Sequence, residues 1–313
     1  MNIKRFMTSK SGIPLIAILC TMLWGSAPPV IKYGYTESVF NVDSSDMATQ
    51  ILFAGARFLC AGLLLLIYGV ITNGKRILPQ KRDLAPIMSV GFSQTFLHYL
   101  FTFIGVAHTT ATKSAIMTAS SAFFSVLLAP IFFKKEKLTW KSLLGAIVGF
   151  SGIILINFDK NGMLGFSLMG EGFILIATIC SVAGNFISKV VAKTRSSITL
   201  NCWQMIFGGF VLSALGTLMG GKLNFTSAKC FFVIIFLGSV SAVAFTLWTL
   251  LLVYNPAGKI GIYNLFIPIF STVFSAILLS ENIFTDITKY ISILLVCAGV
   301  AIVNLKNNKV SVE

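Results

Sequence analysis

Gln94, His98 and Phe101 stand at i, i+4 and i+7 in an otherwise apolar stretch, so two hydrogen-bonding groups share one face of any helix formed there. His98 could carry a proton or bind a polar substrate group; a structural histidine satisfied by a nearby hydroxyl or carbonyl is the competing reading. Asn185 and Asn264, with Thr118, Ser120 and Ser121, supply amides and hydroxyls that can hold both ends of a zwitterion or glue helices together. Trp24, Tyr99, Trp248 and Tyr263 can wall an apolar or cationic substrate, or pack a core and its interfacial belts. Lys113 and Lys259 each open an apolar run, where a cation beside a helix N-terminus attracts anions, as a pair of gates would. Pro28, Pro29 and Pro268 lie inside apolar runs, where they free the carbonyls of Trp24, Gly25 and Asn264 from the helical ladder and break or kink the helix.

These residues need a membrane to make sense. With 313 residues, 56% hydrophobic and only 11% charged, and a mean hydropathy of +0.88, the chain lacks the polar surface of a soluble protein. Apolar runs of about 20 residues, enough for about 30 Å of hydrocarbon, can be marked at ten places. They cover 13–34, 49–71, 84–106, 112–133, 139–157, 169–191, 199–220, 229–252, 259–280 and 287–305. None alternates in the manner of a barrel strand, so the expected fold is all-α and integral to the membrane. The basic start followed by an apolar run without a small-residue cleavage site reads as the first span and not as a removed signal.

Two stretches, 98–157 and 244–304, echo each other. Lys113 recurs as Lys259, Glu136 as Glu281 and Asn157 as Asn304, at spacings of 146, 145 and 147 residues. The chain therefore divides into halves, 1–158 and 159–313, of five spans each. Charge sets the orientation: seventeen Lys and Arg fall in the loops and tails of one side against six on the other. Basic loops stay in the cytoplasm, so both termini are expected there, in a cytoplasmic membrane. Five is odd, so the second half is an inverted copy of the first, a basis for alternating access. Glu136 then lies inside and Glu281 outside. The net charge of +14 follows these loops and gives no reason to expect nucleic acid.

The absences narrow the chemistry. Every acidic residue lies in a loop, a tail or a span end, which disfavours a cation carrier or a carboxylate-based proton pump. Arg57, about two turns inside its run, is expected to bond backbone carbonyls or water. Lys32 and Lys189, near span ends, read as interface anchors with snorkelling stems. Six cysteines without C-x-x-C spacing read as reduced packing residues, and two histidines without a third ligand do not make a metal site. No cofactor or catalytic residue is expected. An enzyme reading rests on Asp43-Ser44-Ser45-Asp46, a D-x-x-D spacing in an outer loop without a second acidic cluster; no G-x-S-x-G occurs, and no ring-forming motif argues for a channel. Gly145, Gly149 and Gly152, with Ala298-Gly299, make smooth faces for packing within the chain, or for a homodimer.

The motifs resemble a known family. They are Leu23-Trp24-Gly25-Ser26 with Ile31-Lys32-Tyr33-Gly34, Arg57-Phe58-Leu59, and Lys135-Glu136-Lys137-Leu138-Thr139 running into Leu144 to Gly152, with a counterpart from Ser280-Glu281 to Ala298-Gly299. In order and spacing the chain resembles the drug/metabolite transporter superfamily, in its ten-helix EamA type, over essentially its whole length. The resemblance implies a central cavity lined by spans 1, 3, 4, 6, 8 and 9, a small organic substrate, and export of amino acids or related metabolites.

Overall fold

The computed structural model describes residues 3–43, 45–109, 111–156, 167–279 and 287–304, with the backbone alone for a few of them, Lys113 included. Glu281 and Asn157, which carried part of the expected repeat, lie outside the described residues. In chain order the helices are α1 (Ile3–Met7), α2 (Gly12–Gly34), α3 (Met47–Asn73), α4 (Lys81–Val90), α5 (His98–Ala107), α6 (Ala111–Phe132) and α7 (Trp140–Ile156). They continue with α8 (Phe173–Val191), α9 (Ser197–Leu218), α10 (Ala228–Tyr254), α11 (Ala257–Gly261), α12 (Phe266–Leu279) and α13 (Ile287–Asn304). A π-helical segment, Gly91–Leu97, joins α4 to α5, another, Leu168–Gly172, leads into α8, and a 3-10 turn, Ile262–Leu265, separates α11 from α12.

No strand occurs among the described residues, and seven continuous helical stretches are long and apolar enough to cross a membrane. The other three expected spans coincide with α6, α7 and α13, whose described apolar parts are shorter. Ends are closed by local chemistry: Asp46 accepts from the Thr49 amide at 2.9 Å and Ser196 from the Thr199 amide at 3.1 Å, each capping a helix start. Asp43 accepts from the Ser45 amide and hydroxyl at 2.8 and 2.7 Å, which holds its carboxyl below the usual carboxylate range. Both carboxylates of the D-x-x-D spacing thus serve a turn and a cap.

Helices meet across the chain in a fixed pattern. α3 lies along α9 and α7 along α13; α2 packs on α10 and α12, while α8 packs on α5 and α6. Glycines make the first two seams. A Cβ on Gly209 would fall 2.7 Å from the Leu59 amide, and one on Gly55 would fall 2.5 Å from that of Ser213. A Cβ on Gly299 would come within 2.6 Å of the Gly145 carbonyl and the Gly149 amide. The α7–α13 glycine face is therefore occupied inside the chain, which corrects its alternative use as a homodimer face. In lipid such backbone approach replaces the hydrophobic drive that water would supply.

The expected break at Pro28 and Pro29 also needs correcting. α2 runs through both without interruption, because the loss of two N–H donors leaves the rest of its ladder intact. The real interruption is the 3-10 turn before Pro268. Gly299→Ala is expected to drive α7 and α13 apart at a cost of about 1–3 kcal/mol, the usual penalty of overpacking, read as a lower thermal midpoint in detergent.

Candidate functional site

The polar face of the third expected span is built on the π-helical segment, whose wider turn re-aims its side chains toward two neighbours. Gln94 donates from Nε2 to Asn185 Oδ1 at 2.8 Å, and Ser188 donates to Gln94 Oε1 at 3.4 Å. Gly184 permits this approach, since a Cβ there would fall 2.5 Å from that of Gln94. His98 Nδ1 lies 3.0 Å from the Ala177 carbonyl, which can only accept, so Nδ1 carries the hydrogen. Gln94 and Asn185 are thus brought together, His98 meets α8 at Ala177, and these bonds tie α5 and its π-helical lead to α8. Next to Gln94, Thr95 turns the other way and donates to Gln204 Oε1 at 2.7 Å. Gln204 reaches Asn201 at 3.4 Å, and Asn201 donates to Thr249 at 3.0 Å. All four are buried. Sequence reasoning missed this chain, although Asn201 and Gln204, three apart in an apolar run, were the signal for it.

An aromatic row crosses the molecule beside these bonds. Trp248 meets Trp24 edge-on at 5.0 Å between ring centroids, Trp24 meets Phe245 at 5.2 Å, and Phe245 meets Phe58 at 6.4 Å. Phe58 meets Tyr99 at 4.7 Å and Tyr99 meets His98 at 4.7 Å. Trp24, Trp248, Tyr99 and His98 therefore share one continuous wall, drawn from α2, α3, α5 and α10.

Arg57, 4% exposed, lies against that wall, with its guanidinium carbon 4.6 Å from the Phe58 ring centroid and 4.8 Å from that of Tyr99. Its Nε finds no hydrogen-bond partner. The backbone carbonyls expected for it are replaced by aromatic rings, because the helix places its long side chain beside the contacting pair Phe58 and Tyr99. Buried atoms without a partner include Trp24 Nε1, Tyr35 Oη, Thr246 Oγ1 and Asn264 Oδ1. Burial pushes the Tyr35 phenol up from its ordinary value, and the Arg57 charge partly opposes that rise.

The remaining expected site residues divide. Tyr263 and Asn264 are buried in the 3-10 turn between α11 and α12. Ser121 is half-buried, Thr118 is exposed, and the Ser120 hydroxyl is used within α6 on the Met117 carbonyl. Lys259 is half-buried in α11; the Lys113 side chain lies outside the described residues.

Lys189 departs most from expectation. It is buried and forms an ion pair with Glu136, donates to the Asn255 carbonyl at 2.8 Å and stands 4.6 Å from the Phe133 ring. Glu136 also accepts from the Ala257 amide at 2.8 Å, and Asn255 donates to the Met7 carbonyl at 2.9 Å. Its stem does not snorkel, because a carboxylate and a carbonyl meet the ammonium inside. This cluster fastens α1, the α6–α7 loop, α8 and α11 at the N-terminal face. Removing one partner strands a buried charge, so Glu136→Ala is expected to cost about 3–5 kcal/mol, read as a thermal midpoint in detergent. The double variant Glu136→Gln, Lys189→Met is expected to lose much less than the sum of its single changes.

A model of the EamA-like transporter family matches residues 11–158 and 168–305. The chain is 25% identical to the uncharacterized transporter YetK of Bacillus subtilis over 82% of its length and 79% of the relative's. It is 24% identical to an uncharacterized transporter of Archaeoglobus fulgidus, covering 85% of this chain and 90% of that one. A protein of Streptantibioticus cattleyicolor named "Probable terminal-alkyne amino-acid exporter" is 25% identical over 65% of this chain and 64% of its own. A solved structure titled "Crystal structure of protein" superposes with a TM-score of 0.78 at 17% identity, over 95% of this chain and 98% of that chain, a likeness of fold. The family pattern runs along both parts of a helical, multi-pass membrane chain, and this protein belongs to the EamA-like transporter family of the drug/metabolite transporter superfamily.

Proposed function

We propose that this transporter exports a small organic metabolite, an amino acid or similar zwitterion, by alternating access of two inverted five-helix halves, residues 1–158 and 159–313. The observation that carries the mechanism is the pairing of helices. When α2, α3, α4–α5, α6 and α7 are numbered one to five, and α8, α9, α10, α11–α12 and α13 likewise, the contacts survive exchange of the halves. Second meets second, fifth meets fifth, and each first helix packs on the third and fourth of the other half. An odd number of spans per half makes the copies antiparallel, and the basic loops put both termini in the cytoplasm, in a cytoplasmic membrane. On that reading the Glu136–Lys189 cluster is the closed cytoplasmic seam between the halves.

The aromatic row and the unpartnered polar atoms beside it supply the substrate path, with Trp24, Tyr99, Trp248, Tyr263 and Asn264 as its wall. Gln94, His98 and Asn185 position helices around it, while Thr118 and Ser121 border it from α6 and Lys113 and Lys259 attract anions at opposite mouths. The exporter name of the Streptantibioticus cattleyicolor relative supports the amino-acid class.

Purified protein in liposomes is expected to show saturable uptake and counterflow of amino acids. Ion conductance or hydrolysis in place of counterflow would overturn the reading. Asn264→Ala and His98→Ala are each expected to lower counterflow about ten-fold, equivalent to about 1.4 kcal/mol, with expression intact; unchanged flux in both would remove the assigned substrate path.

A further inference from the structure

We infer that Arg57 is the docking point for a carboxylate of the transported molecule. The inference rests on the carrier reading above and names the chemical class of its substrate.

Arg57 is the tenth residue after the start of α3, about 15 Å along the helix from its N-terminal end, well inside the hydrocarbon depth. A cation there is costly unless something meets it. The Phe58 and Tyr99 rings, themselves 4.7 Å apart between centroids, lie together beside the guanidinium, and its Nε is left without an acceptor. Of the described carboxylates, Glu37 is exposed in the loop after α2 and the other five are committed elsewhere. Asp43 and Asp46 close a turn and a helix start, Asp83 pairs with Arg195 at 2.7 Å, and Glu136 pairs with Lys189. Glu171 accepts from the Thr109 hydroxyl and the Ser167 amide. No acceptor among the described residues meets Arg57 Nε, and a buried guanidinium with a donor to spare matches a carboxylate oxygen.

The surroundings choose between anions. Phe58, Tyr99, Phe245 and Trp24 give the site an aromatic wall, suited to a carboxylate on an apolar or amphipathic body more than to a fully hydrated ion such as phosphate. Trp24 Nε1, a second buried donor without an acceptor, stands in the same aromatic row. Arg57 then distinguishes an amino acid from the amine left when its carboxylate is removed.

The test uses the full chain in detergent and reads its thermal midpoint against the proteinogenic amino acids, their decarboxylated amines (phenylalanine against phenethylamine, for example) and inorganic phosphate. At least one acid is expected to stabilise the protein where its amine does not. Arg57→Gln is expected to weaken that binding at least about 30-fold, the minimum usual for removing one member of a buried charged pair, and Arg57→Lys to retain part of it. Equal binding of acid and amine, stabilisation by phosphate in place of acids, no acid binding, or an Arg57→Gln protein that binds like the wild type would each overturn the assignment. If Arg57→Gln does not fold, Arg57→Lys and the acid-against-amine contrast on the wild type decide. Acid-specific binding without counterflow would sink the carrier reading alone; counterflow by a chain that binds acid and amine alike would sink the Arg57 assignment alone.

Discussion

Hydrocarbon offers no hydrogen bonds, so each polar group inside the bilayer must find its partner within the chain or in what the chain carries. That constraint explains the helices, which satisfy their own backbones. It explains the side-chain bonds from Gln94 to Asn185 and from Thr95 through Gln204 and Asn201 to Thr249, which bind helix to helix where water cannot. It also gives meaning to the few groups left over. Trp24 Nε1, Arg57 Nε and Asn264 Oδ1 are buried without partners in a molecule that satisfies the polar groups around them.

The same constraint accounts for how the helices are held. Lipid tails compete with leucine for leucine, so apolar burial alone does not select a neighbour. Glycines on α3 and α9, and on α7 and α13, select instead by shape, letting backbones approach where a side chain would collide. These seams tie together helices of equal rank in the two proposed halves. On the alternating-access proposal, the Glu136–Lys189 cluster at the N-terminal face is a polar contact that motion must break.

The helix positions were legible because about 20 apolar residues in a row have few alternatives in a chain of this composition. Gln94, His98 and Asn185 were legible as inward residues for the same reason, since amides are costly against lipid. Which polar groups would satisfy one another was not. Asn201 and Gln204 looked like two more polar residues in a span, and only packing shows that they meet Thr95 and Thr249. Lys189 looked like an interface anchor because its partner, Glu136, lies 53 residues away in a loop. Pro28 and Pro29 misled because proline removes donors without ending a helix whose other bonds hold. Arg57 was visible as a cation without a carboxylate, but its aromatic neighbours, Phe58 and Tyr99, come from two helices.

The central claim is that transport requires the seam at Glu136 and Lys189 to open. It is tested most directly by replacing both with cysteine in a background lacking the native thiols and bridging them with a short, reducible bifunctional reagent. The account predicts that bridging stops counterflow in liposomes and that cleaving the bridge restores it. Undiminished counterflow through the bridged protein would contradict it.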